Sequence, residues 1–383
     1  VPRVALAPLI TLALVSLPPL LPGQAPAPPP ARTPGESAVE LRSRRLGVMG
    51  TELFIEALGP DPARLEAALD AAVAEIRRVE DLMTDWRPSP LMTLNAAAGR
   101  GPQPAAPELV RILGQAGELH TFTRGAFDVT FAAVGRLWDF KAKPPRPPSR
   151  EAVEAALPFV DGRRITVDAK QGTVTIPEGM SVGLGGIAKG YGVDRAMAIL
   201  MAHGITDAMV NAGGDLKALG RRRGAPWEVA IQHPREPDRV IAVIPVANTC
   251  VVTSGDYERF FELDGERYHH ILDPRTGFPC RGCISATVVA PEAALADALA
   301  TALCVLGPEA SLPLIEKLPR VEALMVDLDG RVHASSGLLD RAPAGGDGED
   351  REPREETPDD APPPEESDPP AGADTPSEPN PVP

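Results

Sequence analysis

Ser181–Asp194 reads SVGLGGIAKGYGVD. Gly183, Gly185 and Gly186 stand just before a segment of helical periodicity. That segment runs from about Ile187 to Ala202, with Val193, Met197 and Leu200 as its apolar stripe, and Gly204 stops it. Without Cβ atoms the backbone lets a bulky ligand come close. The first turn of a helix offers unpaired N–H groups to a phosphate, and Lys189 adds a cation one turn in. The stretch therefore reads as a phosphate or nucleotide contact. Gly183–Ala188 also matches the dinucleotide fingerprint in its G-x-G-x-x-A form, with Asp207 at about the distance of a ribose contact.

Whether that fingerprint counts depends on the neighbouring strands, because it needs a βαβ unit. The strands here read as hairpins instead. Arg164–Asp168 pairs with Thr173–Pro177, Phe260–His269 turns at Asp264-Gly265, and Val321–Ala334 turns at Asp329-Gly330. Gly47–Ala57 reads as the first strand, and further strands are expected at Asp207–Asn211, Trp227–Gln232, Val240–Pro245, Cys250–Thr253 and Ser285–Ala290. Helices are expected at Pro62–Val79, Ala106–Leu119, Ser149–Leu157, Pro291–Leu306 and Ser311–Leu318. Asp81–Asn95 reads as irregular, and Gly125–Phe140 mixes strand and helix signals. Helices and hairpins follow one another without a regular βα period. The expected fold class is therefore α+β, with mixed or antiparallel sheets and packed helices.

Composition divides the chain of 383 residues. Residues 1–24 read as a signal segment, with Arg3 ahead of a short apolar run broken by Pro8, Pro18 and Pro19. Residues 25–45 read as a Pro/Ala-rich linker, 46–338 as the folded domain, and 339–383 as a disordered acidic, Pro-rich tail. From Arg341 onward there are 13 acidic and 3 basic residues, so most of the net charge of −15 lies in the tail. The domain itself is only mildly acidic. No basic stripe with interleaved aromatics occurs, which argues against a nucleic-acid partner.

Three further stretches carry chemistry. Asp297 and Thr301 are spaced i,i+4 on the Pro291–Leu306 helix, so a carboxylate and a hydroxyl share one face. On a largely apolar helix such a carboxylate needs a partner. A hard cation such as Mg²⁺ suits these oxygens; the pair also reads as an aspartate bonded to a loop beside a small packed side chain. Tyr268–Gly277, YHHILDPRTG, holds two histidines, of which a strand aims only one at a ligand. Thr253–Tyr257, TSGDY, is a small polar loop after a strand. Cys280 and Cys283 read as a structural disulfide or as free thiols, and the four cysteines lack the spacing of a zinc site.

Taken together, these pieces resemble the ApbE family of flavin transferases. The matching runs are MGTELFI (Met49–Ile55), DVT (Asp128–Thr130), LGGIAKGYGVD (Leu184–Asp194), NAGGD (Asn211–Asp215), WEVAIQHP (Trp227–Pro234), TSGDYERF (Thr253–Phe260), YHHILDPRTGFP (Tyr268–Pro279) and ADALATALCVLG (Ala296–Gly307). The resemblance implies an ApbE-like, T-fold-related architecture and Mg²⁺-dependent transfer of FMN from FAD to a Thr or Ser hydroxyl of an acceptor flavoprotein, with AMP leaving. It also admits an FAD pyrophosphatase, or a non-catalytic FAD-binding module. It implies FAD contacts from Met49, Gly50, Thr51, Asp128, Lys189, Thr253, Ser254, Gly255 and His270. Mg²⁺ would be held by the Gly186 carbonyl, Asp297 and Thr301, with His270 and Asp297 as catalytic residues. The implied acceptor is an exported or membrane-bound electron-transfer protein. The implied location is periplasmic, or on the outer face of the cytoplasmic membrane. Two departures stand out: Gly183 occupies the position of an aspartate in the family's DLGGIAKG-like run, and DVTFAAVGRLW replaces a DVTVGPLV-like run.

Overall fold

A computed structural model describes residues 39–339. The expected signal segment, most of the linker and the acidic tail lie outside the described residues. The centre is an eight-stranded sheet. Its strands, in spatial order, are Glu40–Val48, Thr51–Gly59, Asp207–Ala212, Asp215–Leu219, Thr249–Gly255, Ser285–Ala290, Glu322–Val326 and Val332–Ala334. Every neighbouring pair is antiparallel. This excludes the parallel unit that a dinucleotide fingerprint requires, and it accords with the α+β expectation. Asp207 is spent locally, accepting from the Arg221 N–H at 2.7 Å and the Thr206 hydroxyl at 2.8 Å.

The sheet is covered on both faces, and strand alternation shows it. Cys250, Val252, Ala286 and Val288 enter the main core with the helices Pro62–Met83, Ala188–Ala202 and Ala293–Leu306. Val251 and Val289, one residue along, pack on the other face against Trp227, Ile231 and Ile244. These last belong to a separate hairpin, Trp227–Gln232 with Val240–Val246. A third cluster of Trp138, Phe261 and Leu272, flanked by Phe140, Tyr268 and Phe278, anchors the small Phe260–His269 hairpin.

Three local expectations change. The single first strand is a hairpin, turning at Met49-Gly50 where φ is +52° and +71°. Its first arm, Glu40–Val48, starts inside the residues assigned to the linker. ELRSRRLGV is charge-rich because it is an edge strand, and edge charges oppose unwanted pairing. Within Asp81–Asn95 the first helix runs on to Met83 and a second spans Pro90–Ala96. Ser89 caps the second by accepting from the Met92 N–H at 3.0 Å, with Pro90 in its first turn. Gly125–Phe140 is a 3-10 turn at Val129–Phe131 and a short helix at Ala132–Gly135.

Candidate active site

The helix Ala188–Ala202 and the helix Ala293–Leu306 meet almost backbone to backbone. A Cβ on Gly190 would lie 2.2 Å from the Ala293 carbonyl oxygen. This closeness brings three charged groups into one buried cluster. Lys189 Nζ donates to Asp215 Oδ1 at 2.8 Å and to Asp297 Oδ1 at 3.3 Å. Asp297 Oδ2 accepts the Gly190 N–H at 3.2 Å. Asp194, eight residues past Gly186, ties the second helix down by accepting from the Ala294 N–H at 3.0 Å.

Electrostatics hold this cluster in a defined state. Burial opposes the charge on Lys189, but Asp215 and Asp297 outweigh it and raise the ammonium pKa above its ordinary value. Burial, then the neighbouring Asp297, push the Asp215 carboxyl well above the usual range, with Lys189 pulling the other way. Asp215 Oδ2 has no hydrogen-bond partner although the residue is fully buried. One cation thus serves two carboxylates, and the spare oxygen of Asp215 is met by a proton or by another positive group.

The donors available suit Mg²⁺. Thr301 Oγ1 comes within 3.3 Å of the Cβ position of Gly186, so the hydroxyl faces the glycine turn from the helix that carries Asp297. A carbonyl, a hydroxyl and one or two carboxylate oxygens are hard ligands. Mg²⁺ is usually held by few protein groups, with water and phosphate completing its octahedron. Among the described residues no group of three or more His, Cys, Asp or Glu forms a protein-only cage.

Beside the cluster opens a cleft of about 630 Å³. Gly50, Thr51, Lys189, Asn211, Gly213, Gly214 and Thr253 line it, together with Tyr257, Glu258, Arg259 and the strand Glu228–Gln232. The tight turn at Gly213 admits Thr51: a Cβ there would stand 2.0 Å from Thr51 Oγ1, and φ is +58°. Gly50, Thr51, Lys189 and Thr253, four of the residues that the resemblance assigns to FAD, line this one cleft. Met49 is buried behind them against Gly192, and Ser254 and Gly255 lie along the strand rather than on the cleft wall. Asp256 of the same loop is gripped by Arg235 through two bonds of 2.6 Å. Glu258 was not singled out from sequence. Burial within the cleft pushes its carboxyl up to about 6 against the pull of Lys189, although the residue as a whole keeps solvent exposure.

The strand Glu266–His269 ends at the first of the two histidines, and His270 lies one residue beyond it. His269 is buried and its Nε2 contacts the Cys280 carbonyl at 3.0 Å. His270 bonds through its backbone to the Arg259 carbonyl at 3.0 Å, which sets it beside the cleft wall. Burial, helped by Arg259, lowers its pKa to about 4, so the imidazole is neutral at pH 7. Its Nδ1 is buried without a partner. Asp128 is placed elsewhere. It accepts from the Thr130 hydroxyl at 2.5 Å and the Gly162 N–H at 2.9 Å, and lines a second cavity with His120 and Arg275. Cys280 and Cys283 are free, buried thiols.

Gly183 does not need left-handed backbone, since its φ is not positive. What it provides is space. A Cβ there would stand 3.1 Å from Asp85 Oδ2 and 3.1 Å from Ala132 Cβ.

An antiparallel sheet clamped by two helices, with a cleft beside a Lys–Asp–Asp–Thr cluster and a glycine turn, defines a phosphate-handling α+β protein. Comparison with known proteins makes this particular. The ApbE family model matches residues 49–325, and the chain belongs to that family. An FAD:protein FMN transferase of Treponema pallidum (strain Nichols) is 36% identical over 326 residues, spanning 80% of this chain and 90% of the relative. The crystal structure of an ApbE protein from Thermotoga maritima superposes with a TM-score of 0.72 at 33% identity, covering 78% of this chain and 98% of that one. The apo flavinyl transferase ApbE of Pseudomonas stutzeri gives 0.70 at 28% identity, with 79% and 96% covered.

Proposed function

We propose that this chain is an FAD:protein FMN transferase that uses Mg²⁺. The observation that carries the reading is the buried Lys189–Asp215–Asp297 cluster, with its spare carboxylate oxygen, facing Thr301 and the Gly186 turn at the edge of a 630 Å³ cleft. Asp297, Thr301 and the Gly186 carbonyl would hold the metal, which would supply charge neutralisation at the pyrophosphate. Lys189 adds a fixed positive charge beside the same phosphates. In the reaction an acceptor Thr or Ser oxygen bonds to the FMN-side phosphorus, the P–O bond to the AMP portion breaks, AMP departs, and the hydroxyl proton leaves to a base. Neutral His270, with a free Nδ1, is able to take that proton or orient the phosphate. Asp128 supports the scaffold from the second cavity. Export and an electron-transfer acceptor belong to this proposal as well, as does a domain that starts with the edge strand at Glu40, ahead of the expected limit at 46, and runs to about residue 338.

The test is incubation with FAD, Mg²⁺ and a candidate acceptor flavoprotein, followed by mass analysis. The expected result is an FMN adduct on the acceptor and one AMP per adduct. Free FMN without adduct would replace transfer by hydrolysis. Asp297→Ala should lower the Mg²⁺-dependent rate at least ~100-fold, the scale of losing one preorganised charge-stabilising group; an unchanged rate removes Asp297 from the metal site.

A further inference from the structure

Residues 228–232, a consecutive run from the strand Trp227–Gln232, all line the cleft. Successive side chains of a strand point to opposite faces, so an unbroken run reaches a cavity through the strand's edge and not through one face. That edge is open. Among the described residues, Trp227–Gln232 pairs with Val240–Val246 on one side and with no strand on the other. The register shows which main-chain groups it presents. Pro245 stands opposite Glu228 and has no N–H, as suits a pair that exchanges no hydrogen bonds. The His233 N–H, one residue past the strand, bonds to the Arg239 carbonyl at 2.7 Å. The N–H and C=O groups of Trp227, Val229 and Ile231 therefore face the paired strand, and those of Glu228, Ala230 and Gln232 face the open edge. Trp227 and Ile231 are buried with Val251 and Val289 of the central sheet, which holds this edge in place.

The open edge offers one N–H and one C=O from every second residue, a repeat of about 7 Å. An extended polypeptide has the same repeat, and a dinucleotide does not. The Pro-rich tail of this chain is a poor match, because each proline lacks the N–H that a ladder needs. The same cleft has Lys189, Thr51 and Thr253 on its walls. Resting on the flavin-transfer reading, we propose that this edge docks the acceptor: an extended segment of the acceptor flavoprotein pairs with Trp227–Gln232 as an added strand. The side chains of the added strand alternate between two faces. One face turns, like Trp227 and Ile231, toward the central sheet, and it carries the acceptor Ser or Thr hydroxyl into the cleft. Main-chain pairing sets the distance of the hydroxyl from the phosphates, whatever the flanking side chains are.

The experiment compares two proline variants of the full chain, with FAD, Mg²⁺ and the whole acceptor flavoprotein that receives FMN from the wild type. Ala230 and Val243 stand opposite each other in a pair of the non-bonded kind, so their N–H groups point to opposite edges of the hairpin. Ala230→Pro removes an N–H from the cleft edge and should raise the acceptor KM roughly three- to tenfold, the scale of one or two main-chain bonds, with FAD affinity by calorimetry unchanged. Val243→Pro removes one from the far edge, which does not line the cleft, and should leave the acceptor KM as it is. Equal effects of the two prolines overturn the proposal, as does a loss of FAD affinity in Ala230→Pro that matches its loss of transfer. A second measurement needs only the wild-type chain. Synthetic peptides spanning the modified Ser or Thr, each with one backbone N–H replaced by N–CH3, should compete with the acceptor less well at every second position only; a loss without that alternation overturns the proposal too. Circular dichroism separates misfolding from lost docking. Absence of any FMN adduct with the wild type would instead remove the flavin-transfer reading itself.

Discussion

At the scale of residues, His270 illustrates how burial selects a protonation state. Its folded pKa of about 4 lies below the ordinary histidine value near 6.5. Between those two values the unfolded chain binds more protons than the folded one, so stability falls as pH drops through that window and is recovered above it. In ligand-free protein, wild type should lose up to about 2 kcal/mol more than His270→Gln between pH 7 and pH 5. Urea midpoints at the two pH values measure this, and parallel losses would show that His270 is solvated. Asp215 makes a related point. Its full burial and spare oxygen place it with Lys189 and Asp297, yet NAGGD alone reads as a turn.

At the scale of elements, the site depends on how closely two helices approach. Gly190 has no room for a Cβ against Ala293, and its N–H holds Asp297 Oδ2. Gly190→Ala should therefore force the helices Ala188–Ala202 and Ala293–Leu306 apart. Overpacking of this kind costs about 1–3 kcal/mol. On the proposed metal assignment the displaced Asp297 should also weaken Mg²⁺ binding, so the variant loses stability and needs a higher Mg²⁺ concentration for activity. A chemical denaturation midpoint within error of wild type would mean that the contact yields easily. The helices themselves are legible from periodicity: Val193, Met197 and Leu200 are buried as their spacing implies. Their mutual approach is not, because glycine in a helix looks the same whether it packs or merely tolerates. The edge hairpin was hidden for a different reason. Arg42, Arg44 and Arg45 make Glu40–Val48 resemble linker until Arg44 is seen bonded to Asp70 at 2.9 Å and paired with Glu66 at 2.5 Å on the first helix.

At the scale of the whole molecule, the described residues end at 339, just before the acidic, Pro-rich stretch of the sequence. The ordered sheet ends at Ala334, and a short helix follows at Ser336–Leu339. A chain ending at Arg341 should keep its unfolding free energy within about 0.5 kcal/mol, as for changes away from packed features. Its FAD turnover should be unchanged, while its net charge becomes less negative by eleven, the acidic excess of 13 over 2 basic residues after residue 341. Calorimetry and the flavin-transfer assay check both. A large fall in either would give the acidic segment a role in the fold or in acceptor capture.

By itself the sequence determined the fold class, most helices and strands, and the i,i+4 spacing of Asp297 and Thr301. These follow from periodicity and turn chemistry, which act over a few residues. Only the tertiary structure decided that Lys189, Asp215 and Asp297 share one charge balance, that Asp128 faces a second cavity, and that Asp85 fills the space left by Gly183. Those are contacts between segments far apart in the chain, and local pattern carries no distance between them. The SVGLGGIAKGYGVD run is legible as a glycine turn ahead of a helix; the strand and helix folded against it decide which carboxylates meet Lys189 there.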